Sequence, residues 1–442
     1  MQKADYIICG DYVLTMDAVL NTIRHGAVAV RGNAIVEVGK SDDLLRRYPK
    51  TKVTAGENKV LLPGLINTHS HAAMVFFRGL ADDLPLKEWL EKHIWPAEAK
   101  WLTPEFVSDA TELACLEMLK AGITTYNDMY FFGDSTARAT KSLGMRACLG
   151  AGIIDFPTVA ASTLDEYLAN AEKFIGDWKG DDLIYPCLAP HSAHTCGPET
   201  LRRSRKLAER LDVKLHMHLS ETRWEVEEII SKHGKRPVEY LDSIGFLDER
   251  LLAAHCVHLD DVEIALLSKR LVSVSHCIES NLKLASGIAP IPKMITAGIT
   301  VSLGTDGAAS NNDQNILSEM STAAKLHKAM ANDPTALDSK TALLMATRWG
   351  AEALGLANKL GSLENGKAAD IISIDLKKPH LCPIYDIYSH IVYSAMASDV
   401  DTVIIGGREV IKNRSHVDAI EDVILQKAAR WQAKIAIHNS SH

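Results

Sequence analysis

The chain has 442 residues, 47% of them hydrophobic and 24% charged, the balance of an ordinary globular protein with a large core. Its formal net charge of −8 and the lack of any local basic run exclude an electrostatic footprint for a nucleic-acid backbone or an anionic membrane. Eight cysteines without a C-x-x-C pair exclude a zinc ribbon or a disulfide scaffold and are expected mostly as small buried side chains.

In chain order, the opening MQKADYIICGDYVLTMD lacks a continuous apolar stretch of the signal-peptide kind. Nowhere do about 18 apolar residues run together, so a cytoplasmic chain without a membrane span is expected. Residues 1–59 read as short strands with glycine turns, the first part of a small β domain. From 60 to 360, β-branched runs alternate with longer amphipathic stretches, the pattern of repeated βα units around a parallel sheet. Eight strands are expected, starting at Val60, Ile123, Arg146, Leu183, Val213, Leu251, Leu271 and Thr300. Helix signals fall between them, such as Thr103 as N-cap, Pro104 at the first position and Gly122 as the stop. Residues 361–415 return to short strands, too few for a core of their own, and so are expected to pack with 1–59; residues 416–442 carry a charged amphipathic stretch that reads as a terminal helix. The fold class is therefore α/β, a (β/α)8 TIM barrel with a discontinuous β-sandwich domain.

Polar residues gather where the barrel strands end. His69, His71, Asp128, His191, His194, His218, Glu221, His255, His276 and Asp306 all lie at or just past the C-terminal end of an apolar run, the face on which barrel enzymes carry their chemistry. The stretch HSH at 69–71 puts two imidazoles on one side of a strand, and HMHLSE at 216–221 does the same with a glutamate three residues on. Imidazole suits zinc, although a lone H-x-H is weak evidence and reads more readily as a hydrogen-bonded core pair.

The joint occurrence in barrel order carries more weight. LPGLINTHSH, HMHLSE, AHCVHL, SNLKLASGIAP, LGTDG and the tail GSLENGKAADIISID resemble the amidohydrolase superfamily over nearly the whole chain. The resemblance implies one zinc ion held by His69, His71, His218 and Asp306, with Glu221 as proton shuttle and His255 as a polarising residue beside the metal's water; Asp306 counts among the catalytic groups as well as the ligands. The fourth strand ends in His191 without the lysine that two-metal members carboxylate, so one metal is implied, with other divalent ions as substitutes. A zinc ion that moves the pKa of water from about 15.7 to about 7 changes that equilibrium by about 12 kcal/mol, whereas a general base alone contributes on the order of 100- to 10,000-fold. With four ligands and a water already implied, His216, about 6.6 Å deeper along its strand, is assigned to the barrel interior as a hydrogen-bonded residue.

Within the superfamily, AAMVFFRGLADDLPLKEWLEKHIWPAEAKW, residues 72–101, is similar to the methylthioadenosine and S-adenosylhomocysteine deaminases. That similarity implies hydrolysis of an adenosine-type nucleoside to the inosine analogue and ammonia, with Glu98 on the ribose hydroxyls and His191 on the nucleoside. Trp89, Phe76 and Phe77 either stack on the base or belong to the core. Gly150–Tyr167 contains no arginine, where relatives that handle S-adenosylhomocysteine place arginines for its carboxylate, so methylthioadenosine and then adenosine are expected to be favoured. Alternatives are a mononuclear amidohydrolase for guanine-like bases or triazines, which needs no ribose clamp, and a non-catalytic barrel scaffold, which would have shed ligands. The H-x-E with P-C-x-x-C signature of cytidine deaminases is absent. A small-molecule substrate and a homo-oligomer are expected, with no nucleic-acid or membrane partner.

Overall fold

A computed structural model describes residues 3–439. The chain divides into two compact units. One takes in the chain up to Asn67, Leu116–Thr125 and Asn315–Glu421; the other takes in Thr68–Cys115, Tyr126–Gln314 and the chain from Asp422.

The first unit is built on strands β1 (Tyr6–Leu14), β2 (Thr22–Arg31), β3 (Ala34–Lys40), β4 (Lys52–Thr54) and β5 (Lys59–Pro63). The barrel strands follow in sequence: β6 (Leu65–Ser70), β7 (Ile123–Tyr130), β8 (Arg146–Ile153), β9 (Ile184–Pro190), β10 (Leu215–Leu219), β11 (Leu251–His255), β12 (Ser273–His276) and β13 (Val301–Leu303). Then β14 (Ile371–Asp375), β15 (Val400–Ile405), β16 (Arg408–Lys412) and β17 (Ser415–His416) return to the first unit. Both terminal segments share one mixed nine-stranded sheet, ordered β17-β16-β15-β14-β5-β1-β2-β3 with β4 on β1. Neighbouring residues on its strands feed opposite faces, as period two requires. Ile8, Val28, Val30 and Ile371 enter one core, while Ile7, Ala27 and Ala29 enter another, closed by Leu44 of helix Ser41–Arg47.

The strand expected to start at Val60 is in fact two. Lys59–Pro63 pairs with β1 and β14 in the mixed sheet, and only Leu65–Ser70 joins the barrel. Proline lacks the N–H that a continuous ladder needs. Gly64 then passes so close to Thr124 that a Cβ would lie 2.0 Å from its Oγ1. These two residues let the chain change sheets.

The eight strands β6 to β13 form a parallel sheet in sequential order, and the register of β10 to β13 is continuous. First and last strands meet through the Thr68 hydroxyl, which donates to the Leu303 carbonyl at 2.8 Å, and through Asp306 N–H on the His69 carbonyl at 2.9 Å. Helix Pro104–Lys120 begins where expected, with Thr103 Oγ1 accepting Phe106 N–H at 3.1 Å, and Gly122 behind it has φ +84°. The terminal helix spans Glu421–Asn439, and Lys427 and Trp431 tie it to Asp109 at 2.9 and 3.0 Å. All eight cysteines are free and six are buried. Among the described residues no helix is long and apolar enough to cross a membrane.

Candidate metal centre and active site

The short strands deliver their side chains at fixed depths. His69 near the end of β6 and His71 just past it face His218 near the end of β10, and the ligand atoms of the three lie within 4.8 Å of one another. Asp306, beyond β13, adopts φ +63°. Its Oδ1 lies 3.4 Å from His69 Nε2 and 3.3 Å from His71 Nε2. The Ser280 and Ser310 hydroxyls donate to its Oδ2 at 2.7 and 2.8 Å, and Gly307 N–H donates to Oδ1 at 2.7 Å. Burial opposes ionisation of this carboxyl, but the bond to His69 and the neighbouring imidazoles outweigh it and hold it well below the usual carboxylate range.

Hydrogen bonding decides what the ring nitrogens of His71 and His218 are. His71 Nδ1 sits 2.6 Å from the Met129 carbonyl and His218 Nδ1 2.8 Å from the His191 carbonyl. A carbonyl only accepts, so both Nδ1 atoms carry the proton and both Nε2 atoms present lone pairs. Those lone pairs face each other at 3.2 Å. Burial lowers the pKa of His69 to about 4 and that of His218 well below its ordinary value, which favours the neutral, metal-binding form of both rings. Three imidazoles and an ionised carboxylate converging in this way fit a divalent cation of the zinc type.

His216 stands one layer deeper, as expected. Its Nε2 is 2.9 Å from His69 Nδ1, and its Nδ1 is 3.0 Å from the Asn127 amide nitrogen. It therefore orients a member of the cluster without offering an atom to it.

Glu221 and His255 stand beside the cluster. Burial raises the Glu221 pKa, and its Oε2 lies 3.7 Å from His255 Nε2. For His255 burial acts downward, but the Glu221 and Asp306 carboxylates and the Asn281 amide oxygen outweigh it and raise the pKa. Asn281 Oδ1 is 2.9 Å from His255 Nδ1. The pair thus holds a carboxyl and an imidazole poised to exchange protons with a group between them and the cluster.

The amidohydrolase family profile matches residues 60–410. A 5-methylthioadenosine/S-adenosylhomocysteine deaminase of Thermodesulfovibrio yellowstonii is 53% identical over 97% of this chain and 98% of its own length. The chain belongs to the amidohydrolase family. Among solved structures, an adenosine deaminase from Xanthomonas campestris with bound zinc superposes with a TM-score of 0.97 at 42% identity, covering 99% of both chains. An atrazine chlorohydrolase from Arthrobacter aurescens, also complexed with zinc, gives 0.91 at 26% identity, covering 97% of this chain and 100% of that one.

In this amidohydrolase the cluster opens into a cavity of about 270 Å³. His71, His218, Glu221, His255 and Asp306 form its floor, and Trp89, Glu98, His191 and His194 stand in its wall. Glu98, on helix Trp95–Trp101, is half-buried as a residue, but its carboxylate is enclosed. Burial pushes its pKa up to about 7, eased by the Tyr130 hydroxyl that donates to Oε1 at 2.7 Å. His191 Nδ1 lies 3.0 Å from Thr195 Oγ1, and its ring is 4.6 Å from that of His218. Burial pushes His191 down to about 3 and His194 to about 4. Trp89 is buried, its Nε1 donating to the Ala81 carbonyl at 3.0 Å.

Phe76 and Phe77 are not cavity residues. Both pack on Phe106, with rings at 5.3 and 5.2 Å, and Phe76 also meets Trp431; Phe77 is core and Phe76 is half-buried. Asp128 holds the chain after β6 through Ala72 N–H at 2.7 Å and stands outside the cluster.

Several contributors escaped the sequence reading, Ser310 and Asn127 among them. Tyr130 lies two residues beyond Asp128 on β7, so period two would have placed it on the same face. Ser280 and Asn281 sit inside the quoted SNLKLASG motif but carry no signal of their own. Glu225 reads as an ordinary first-turn helix acid, yet it is only 3% exposed.

Proposed function

We propose that this chain is a zinc-dependent deaminase of adenosine-type nucleosides, with 5'-methylthioadenosine favoured, releasing the inosine analogue and ammonia. The observation that carries the reading is the Glu221–His255 pair set beside the His69, His71, His218 and Asp306 cluster at the floor of the cavity. The names of the relatives add the nucleoside, and the zinc of the Xanthomonas structure adds the ion.

His69, His71, His218 and Asp306 would hold the zinc. The chemistry that such an ion supplies is the acidification of water, from a pKa of about 15.7 to about 7. Glu221 takes the proton of the attacking water and gives it to the ring nitrogen beside the amidine carbon, then helps to protonate the leaving amine so that ammonia departs. A buried carboxyl with a raised pKa accepts and returns a proton more evenly than an exposed one. His255, with one nitrogen fixed by Asn281, turns the other toward the attacking oxygen and holds it in line with the amidine carbon while the ring nitrogen takes the developing charge.

Glu98 takes the ribose hydroxyls and His191 contacts the nucleoside. Glu98→Ala is expected to lower kcat/KM for nucleosides by roughly ten- to a hundred-fold, the worth of one or two charged hydrogen bonds. Deamination of a free guanine-type base, the activity of the alternative reading, would be untouched. Parallel kinetics on both substrates check this.

The cavity wall supports the substrate order. Leu86, Ile94, Trp95, Phe156 and Val159 line it, and among the described residues no arginine does. Its one lysine, Lys87, lies with Nζ 4.9 Å over the Trp224 ring. An apolar methylthio group suits that wall, whereas a carboxylate without a bidentate partner forgoes roughly 1.5–3 kcal/mol. The direct test follows the ultraviolet change from adenine to hypoxanthine with methylthioadenosine, adenosine, S-adenosylhomocysteine and guanine, with and without chelator. Chelator-sensitive ammonia release is expected, fastest with methylthioadenosine. No release from any adenosine-type nucleoside, or release only from guanine or a triazine, would sink the reading.

A further inference from the structure

One buried carboxylate beside this site has no part in the chemistry above. Glu225 is the third residue of helix Arg223–His233, whose N-cap, Thr222, accepts Glu225 N–H at 3.2 Å. A glutamate at that position ordinarily reaches back to the N-cap's own N–H. Glu225 reaches past it. Its Oε1 accepts Ser220 N–H at 3.1 Å and its Oε2 accepts Glu221 N–H at 2.8 Å.

The two amides it holds belong to a strained turn. Ser220 has φ +51°, a left-handed conformation that residues other than glycine adopt only when their surroundings impose it. The Ser220 carbonyl in turn accepts Val257 N–H at 3.1 Å and His258 N–H at 2.9 Å, and the Leu219 carbonyl accepts Cys256 N–H at 2.9 Å. His255 and Cys256 are left-handed too, with φ +71° and +50°. Glu221 and His255 thus hang from two left-handed turns that are bonded to each other, and Glu225 is the side chain that closes the first.

We infer that Glu225 is a positioning residue: its carboxylate clamps the Ser220 and Glu221 amides and so aims the Glu221 carboxylate at His255 and the cavity floor. The inference rests on the reading of Glu221 as the proton carrier given above. Both oxygens accept from backbone donors, so a carboxylate is required. An amide at this place offers one acceptor and turns an NH2 group against the other N–H.

The test is Glu225→Gln in the zinc-loaded full chain. Expected are a fall in kcat of about ten-fold or more, with KM within about three-fold of the parent and zinc content unchanged. Because the effect runs through Glu221, the double variant E221Q/E225Q is expected to be no slower than E221Q alone. Ser220→Gly added to E225Q makes the left-handed turn free of strain and is expected to recover part of the loss. Parent kcat in E225Q, or losses that add in the double variant, would overturn the inference. So would an E225Q chain that fails to fold and is not recovered by Ser220→Gly, since Glu225 would then serve the fold alone. A crystal structure of E225Q separates this from the parent reading. Glu221 displaced from His255 supports the clamp and Glu221 in place refutes it, whatever substrate the parent turns over, whereas a parent inactive on every nucleoside refutes only the deaminase.

Discussion

Glu221→Gln is expected to keep a full complement of zinc while kcat for methylthioadenosine falls by about a thousand-fold or more. Zinc survives because Glu221 is not among the converging donors: His69, His71 and His218 supply the nitrogen atoms, and Asp306 the oxygen next to them. Turnover does not survive because one carboxylate is asked to move two protons in sequence, and general acid–base catalysis by a single group is worth roughly 100- to 10,000-fold. The substitution is nearly isosteric, and the amide can still face His255, which lies 3.7 Å from Oε2 in the parent. What it cannot do is accept a proton. The check is metal analysis of the purified variant beside its single-turnover rate. A glutamine variant within ten-fold of the parent, with zinc bound, would remove Glu221 from the proton path.

His218→Ala is expected to strip the metal and abolish turnover, whereas His216→Ala, two residues away, is expected to keep it and lose stability. His218 presents a bare Nε2 lone pair 3.2 Å from that of His71, so its loss removes one donor outright. Dividing the roughly 10–16 kcal/mol of a structural zinc site over four ligands gives about 3 kcal/mol each, or on the order of 100-fold in affinity. His216 instead turns both nitrogens to His69 and Asn127. Removing it frees the His69 ring and leaves a hole where His216 is buried, at about 2–3 kcal/mol of stability and roughly 10-fold in metal affinity, short of the loss at His218. Zinc per chain after dialysis and thermal midpoints separate the two variants. The reverse pattern, with metal lost from His216→Ala and retained by His218→Ala, would contradict the register of β10 and the roles drawn from it.

That neighbours on one strand differ so sharply marks the boundary between local pattern and tertiary placement. The alternation of β-branched runs with amphipathic stretches was enough for an eight-stranded parallel barrel, because a βα unit is encoded within a few dozen adjacent residues. The clustering of histidines and acids at strand ends was equally local. His69, His71, His218, Glu221, His255 and Asp306 stood among the ten strand-end residues that period and composition define, and the resemblance to the amidohydrolase superfamily singled them out.

The sequence by itself therefore determined the barrel, the face on which the chemistry sits and the residue types that gather there. Only the tertiary structure decided which carbonyl fixes each imidazole, as Met129 does for His71 and His191 for His218. It alone set Phe76 and Phe77 against Phe106, sent Lys59–Pro63 into the mixed sheet and brought Glu225 back onto the Ser220 and Glu221 amides. The physical reason is the range of the interactions. Hydrophobic periodicity acts over one or two turns of chain, whereas a hydrogen bond or ring contact between residues tens to hundreds of positions apart exists only once the strands have closed, and no local pattern records it.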